Sequence, residues 1–186
     1  MKILQINTFE SFGGAAIAAL RLHQSLCSNG IESKFITLLK TRNNENVISA
    51  NRLVNKYTFP LLSVINKSPL LQYRNAPRPY QISPGWLSLA GKKILKTIRD
   101  WNPDIIHFHW VAEGMININD IVKISDIKPT VWTLHDMWAL TGGCHYSSGC
   151  SRYEAGCGAC PFLKSNNSND ITSRIFNQKK ITWKNQ

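Results

Sequence analysis

The side chains with chemistry to offer crowd into one run, TLHDMWALTGGCHYSSGCSRYEAGCGACP, residues 133–161. Its cysteines read C-x5-C-x6-C-x2-C, as Cys144, Cys150, Cys157 and Cys160. Four thiolates can complete a tetrahedral zinc shell, and Cys157–Cys160 has the spacing such sites use. His145 could stand in as a ligand. Two disulfides, or free thiols in a glycine-rich loop, are the competing readings, and an iron–sulfur cluster is a further one without other signs of redox work.

A second group of candidates lies at strand ends. DIIHFHWV (104–111) places His107 and His109 on one strand face, because side chains alternate with a period of two. TVWTLHD (130–136) ends on His135 and Asp136. Open α/β sheets bind ligands outside the carboxyl ends of their strands, so these histidines are placed to coordinate a metal or to hydrogen-bond a sugar hydroxyl or phosphate. His23, on an apolar helix face, reads as structural. The loop TFESFGGAA (8–16) follows a strand and opens a helix. Gly13 and Gly14 there let the backbone approach a ligand, and free N–H groups at the helix start attract anions. A tight turn would also explain them, and the run is not the G-x-G-x-x-G dinucleotide fingerprint.

These residues need a scaffold. KILQIN (2–7) reads as a strand, and Ala16, Ala19, Leu20, His23, Leu26 and Cys27 recur at helical spacing up to Asn29-Gly30. SKFITLL (33–39) reads as the next strand. Such a βαβ unit predicts an α/β fold, a doubly wound parallel sheet. Residues 41–90 read as short helices and loops, with turn chemistry in the proline-rich NAPRPYQISPGW. Helices are expected over 89–101 and 118–126, and strands over 104–111 and 130–136. After Cys160 the chain is polar and ends on a basic helical segment. A doubly wound sheet normally continues into another strand, so the expectation is a domain cut short.

The formal net charge is +11 and the isoelectric point about 9.7, over 186 residues with otherwise ordinary globular composition. Such a balance points to an anionic partner: nucleic acid, an acidic membrane surface or phosphorylated small molecules. The first apolar run stops at Asn7, too early for a signal peptide, and no stretch approaches the roughly 18 apolar residues of a membrane span. The chain is therefore expected in the cytoplasm, where disulfides are rare.

Four stretches, MKILQINTFESFGGAAIAALRLHQSL, NPDIIHFHWV, VWTLHDMWALTGGCHY and GCGACP, together resemble the N-terminal half of a retaining GT-B glycosyltransferase of family 4. The nearest subgroup comprises the bacterial enzymes of capsule, exopolysaccharide and colanic-acid assembly. The resemblance covers the whole chain, loosely over 41–90. It implies that residues 1–186 form a Rossmann-like, acceptor-side domain with a Cys-rich loop at 142–161, and that the C-terminal donor-binding domain is absent. By resemblance, Gly13 and Gly14 lie against the diphosphate of a nucleotide-sugar donor and His135 meets the transferred sugar. His109 and Asp136 line the same cleft, with His135 and Asp136 as the catalytic candidates. Transfer would proceed with retention, the leaving diphosphate helping to deprotonate the incoming hydroxyl. The paired-glutamate donor motif and the basic groups that stabilise that charge belong to the other domain, so this chain alone is expected to transfer no sugar.

The implied partners are a nucleotide sugar and a glycan or lipid-linked acceptor, with peripheral contact at the inner face of the plasma membrane. Lys92, Lys93, Lys96 and Arg99 in WLSLAGKKILKTIR (86–99) are the candidate basic face. A solvated helix face explains them equally. A zinc-stabilised nucleic-acid-binding module is the rival reading, but the basic residues form no arginine-rich or aromatic-stacking stripe, and no nucleic acid is expected. A stand-alone sugar- or acceptor-binding domain is a second alternative.

Overall fold

Six consecutive residues of β1 (Lys2–Phe9) are buried, Ile3 through Thr8. A strand covered on both faces belongs in the middle of a parallel sheet, whose crossover helices shield each side. The computed structural model describes all residues except 43, 74, 77–80 and 184–186. From β1 the chain passes through α1 (Gly14–Ser28) to β2 (Glu32–Leu39), which pairs parallel to β1. β3 (Val47–Ser49) adds outside β2. After α2 (Phe59–Asn66) and α3 (Gly91–Trp101) the chain crosses over, so that β4 (Ile105–Phe108) joins the opposite side of β1. α4 (Ile118–Ser125) leads to β5 (Thr130–Trp132) beyond it. The order is β3-β2-β1-β4-β5, all parallel: the expected Rossmann-like sheet.

Short α5 (Arg152–Ala155) and then α6 (Ile171–Thr182) follow. The main core gathers Leu4, Ile6, Ile36, Ile106 and Phe108 from the sheet with Ile94 and Ile98 of α3, Ile121 and Ile124 of α4, and Ile175 of α6. A smaller cluster, Ala19 and Leu20 of α1 with Phe35 and Val47, covers the other face. His23 also lies there, buried, its Nδ1 2.8 Å from Ser33 Oγ.

The helix ends follow local chemistry. Asn102 closes α3 in the left-handed conformation at φ 51°, just before Pro103. Asn117 caps α4 by accepting from the Asp120 amide, and Asp170 caps α6 by accepting from Thr172 and Ser173.

Three strand expectations change. β4 stops at Phe108 and β5 at Trp132, so His109, His135 and Asp136 stand in the loops beyond the strands. β3 lies inside the region read as helices and loops, because three residues are too few for a period to show. The turn reading of NAPRPYQISPGW falls partly on residues 77–80, outside the described residues. Among the described residues, no helix is long and apolar enough to cross a membrane.

Candidate active site

The strand order reverses between β1 and β4, and a crevice opens at that point beyond their carboxyl ends. Its cleft measures about 650 Å³ and is lined by the loop after β1 (Phe9, Gly13, Gly14), the residue after β4 (Trp110) and the loop after β5 (His135, Asp136, His145). Volumes of roughly 300–1,000 Å³ suit small ligands.

On one wall, Gly13 precedes α1 at φ +84°, a conformation that strains any other residue, although nothing would meet its side chain. The first turn of α1 has no side-chain cap, so its free amides face the cleft beside Gly14, Ala15 and Ala16. An uncapped helix start carries partial positive charge and suits an anion.

On the opposite wall, Asp136 is the centre of a network. Its Oδ2 accepts from Trp110 Nε1 at 2.5 Å and from His145 Nδ1 at 2.6 Å, while Oδ1 accepts from the Trp138 amide at 2.8 Å. Burial pushes the carboxyl up, but the bonds from His145, Trp138 and Trp110 outweigh it and hold the group below the usual carboxylate range. His145 Nε2 lies 2.8 Å from Ser83 Oγ, which in turn donates to Glu113 at 3.2 Å.

His109 and His135 form the second element. His109 Nε2 donates to Gln5 Oε1 at 2.6 Å, which leaves Nδ1 to accept from His135 Nε2 at 3.0 Å. Burial, with His107 and His135 close by, holds His109 down to about 3, so the ring is neutral at physiological pH. This tautomer chain leaves Nδ1 of His135 as an acceptor on a ring that lines the cleft. His109 itself is buried and lies behind His135 rather than in the lining. His107 shares the strand face, but its Nε2 is engaged by Thr133 Oγ1 at 2.8 Å and it too is outside the lining.

Behind the Asp136 loop stands a residue that the sequence did not single out. Lys179 of α6 is 3% exposed, and its Nζ donates to the carbonyls of Trp138 and Thr141, the latter at 3.1 Å. The indole of Trp138 lies 3.8 Å from the ammonium and that of Trp183 5.6 Å away. Burial pulls its pKa down to about 7. Trp110 and His145 were likewise not recognised as partners of Asp136. Only folding brings residues 110, 136 and 145 together, and no spacing in the sequence signals it.

The four clustered cysteines line one cavity of about 20 Å³ behind the cleft. All are reduced. The Cys144 thiol donates to Cys160, which raises the first group and, with the Leu163 and Phe162 amides, holds the second down to about 7 against burial. Burial raises Cys157 despite the Gly142 amide 3.1 Å from its sulfur. Among the described residues no three His, Cys, Asp or Glu side chains stand arranged to hold a metal ion, so the four thiols do not form the expected zinc shell in this arrangement. His145, the substitute ligand, is bound to Asp136 instead. The loop packs tightly on α6: a Cβ at Gly142 would lie 2.3 Å from the Thr172 carbonyl oxygen.

Comparison with known proteins agrees with this geometry. The model of the family described as Glycosyltransferase Family 4 matches residues 12–155. The chain is also 32% identical over 171 residues to an Escherichia coli (strain K12) protein named as a colanic acid biosynthesis glycosyl transferase, WcaC. That alignment covers 88% of this chain and 40% of the relative, so the chain spans about 40% of the length of the protein it matches. The matched residues contain the glycine turn, both β-strand loops and the Asp136–His145 pair. The chain belongs to glycosyltransferase family 4.

Proposed function

We propose that this chain is the acceptor-side half of a retaining glycosyltransferase that moves a sugar from a nucleotide-sugar donor to a glycan or lipid-linked acceptor in bacterial surface-polysaccharide synthesis, at the cytoplasmic membrane face. The observation that carries the reading is the cleft at the β1/β4 switch point, with an uncapped helix start on one wall and an imidazole acceptor on the other. The amides after Gly13 and Gly14 meet the donor diphosphate. His135 Nδ1 accepts a hydroxyl of the transferred sugar, and the neutral His109 fixes that ring. Asp136 orients Trp110 and His145 along the same wall. The diphosphate leaves with increased charge, and it takes up the proton of the incoming hydroxyl as the new glycosidic bond forms.

Among the described residues the cleft lining contains no Lys or Arg to neutralise that charge. We therefore assign the neutralising groups to a donor-binding domain outside residues 1–186, and expect the 186-residue chain alone to transfer nothing. In a protein that includes such a domain, His135→Ala should lower kcat/KM for sugar transfer by about 100-fold, because the contact strengthens as the sugar becomes cationic. Product analysis by NMR should show retention at the anomeric carbon. An undiminished rate, or an inverted product, would reject the assignment.

For the cysteine loop we propose a structural zinc held by Cys144, Cys150, Cys157 and Cys160. Support comes from the spacing of the four cysteines and from the one small cavity that all four thiols line. Binding requires the loop to draw the sulfurs closer than they stand. Purified protein should carry about one zinc per chain, and chelation should lower Tm by about 10 °C, several kcal/mol at the scaling for this size. Metal-free protein with an unmoved melt retires the zinc.

A further inference from the structure

We propose that Phe12 and Tyr146 are specificity residues of the cleft, two bare aromatic rings that hold a neutral pyranose unit of the acceptor and select it against a uronic acid. Both residues line the cleft, yet they are 74 and 61% exposed. A large ring left uncovered inside a concave site has no packing duty there, and it marks a place for a ligand. Phe12 is firmly mounted all the same. Its ring meets that of Phe9 edge-on, with centres 5.6 Å apart, and Phe9 stacks on Trp110 at 5.4 Å and 19°. Phe59 of α2 also packs edge-on against Phe9, at 5.3 Å. Tyr146 follows His145, whose amide donates to the Gln81 carbonyl at 3.0 Å, beside an antiparallel bridge between Ile82 and Cys144. The segment that presents Tyr146 is thus tied down at its root.

The chemistry of the lining identifies the occupant. A pyranose with equatorial hydroxyls presents axial C–H groups on both faces, and these pack on the electron-rich face of an aromatic ring. Its rim of hydroxyls needs polar partners. Gln81 lines the same cleft, and its Oε1 has no hydrogen-bond partner among the described residues. A shielded acceptor without a donor is costly, and a sugar hydroxyl would satisfy it once the amide turns about its soft terminal torsion. A purely apolar acceptor would leave that oxygen unpaired.

Charge decides between neutral and acidic sugars. Among the described residues the lining contains no Lys or Arg, and its single carboxylate, Asp136, is held below the usual carboxylate range. A uronate would lose hydration there without a side-chain cation to meet it, and it would face Asp136 as a like charge. The free amides at the start of α1 do suit an anion, but the donor diphosphate takes them in the reading above. His135 is assigned there to the transferred sugar, so the two rings fall to the unit that receives it. In its purpose this inference rests on the proposed glycan acceptor, and its evidence is exposure, ring packing and charge.

Saturation-transfer NMR on the 186-residue chain tests it, with methyl β-D-glucopyranoside as the neutral probe and methyl β-D-glucuronide as its acidic counterpart. The neutral glycoside is expected to bind, with saturation strongest at its axial ring protons, and the glucuronide to bind about tenfold more weakly. F12L/Y146L keeps apolar bulk but removes both π-faces, and it should weaken the neutral glycoside about tenfold with Tm unchanged, since both rings are exposed. Y146F keeps the ring and should bind as wild type does. His135→Ala should also leave binding intact, because that imidazole is assigned to the other sugar. No saturation transfer, equal binding of the two probes, or binding that F12L/Y146L leaves unchanged overturns the proposal. So does binding that His135→Ala abolishes, which would place the glycoside where the transferred sugar belongs. The assay involves no donor and no turnover, so its failure leaves the reading of the cleft to the transfer assay on His135→Ala.

Discussion

Lys179→Met should lower the melting temperature by about 5–10 °C, with little change in volume. The substitution leaves the Trp138 and Thr141 carbonyls without their donor in a buried site, and each orphaned acceptor costs about 1–3 kcal/mol. The indoles of Trp138 and Trp183 also lose the ammonium they flank. The same residue gives a pH signature. Its pKa falls from 10.5 to about 7 on folding, so between those values the unfolded chain holds a proton that the folded chain has released. Folding then becomes more favourable as pH rises, by up to about 1.4 kcal/mol per unit. The penalty is complete below pH 7 and is relieved toward pH 10.5. Denaturant melts at pH 6.5, 8 and 9.5 should show wild type gaining on Lys179→Met across the series. A constant difference between the two proteins would show that Lys179 does not change protonation on folding.

Asp136→Ala should remove about 3–5 kcal/mol of stability, since each buried donor left without its acceptor costs about 1–3 kcal/mol. Three donors lose their acceptor at once: Trp110 Nε1, His145 Nδ1 and the Trp138 amide. Asp136→Asn keeps the shape but offers a single acceptor oxygen, so it should lie between alanine and wild type. The carboxyl is held below its ordinary 3.8 in the folded state, so its contribution is present above that value and disappears as pH falls through the lower folded pKa. Wild type and Asp136→Asn should therefore converge in stability toward acid pH, measured by urea unfolding from pH 6 down to pH 3. Parallel curves would reject the role of the charge. In a protein that transfers sugar, both variants should also lose rate, because Trp110 and His145 line the cleft that Asp136 orders.

How much of this was legible beforehand differs by element. α1 and β2 were read within two residues of their bounds, because Ala16, Ala19, Leu20 and His23 repeat at helical spacing and Asn29-Gly30 punctuates the end. β4 and β5 were read too long. The apolar run of β4 continues past the last sheet pairing into buried His109 and Val111, and burial rather than pairing is what a hydrophobic run reports; that of β5 runs on into exposed Thr133 and Leu134, which no pattern in the sequence separates from the strand. β3 escapes the reading for lack of length, whereas α2 falls within the stretch read as short helices, its bounds left unplaced because Pro60 and Pro69 interrupt the apolar run.

The sequence by itself determined the parallel α/β fold, the glycine turn before α1 and the placing of His109, His135 and Asp136 near the carboxyl ends of strands, though not in the loops beyond them. Each of these follows from local periodicity, turn chemistry or the motifs shared with family 4. Only the tertiary structure decided which side chains these residues meet. Asp136 finds Trp110 from another strand end and His145 from across a loop, and Lys179 returns from a helix about 40 residues downstream to clamp that loop. Local spacing encodes the hydrogen bonds of helices and turns, whereas contacts between distant segments depend on how the sheet order and loops close in space.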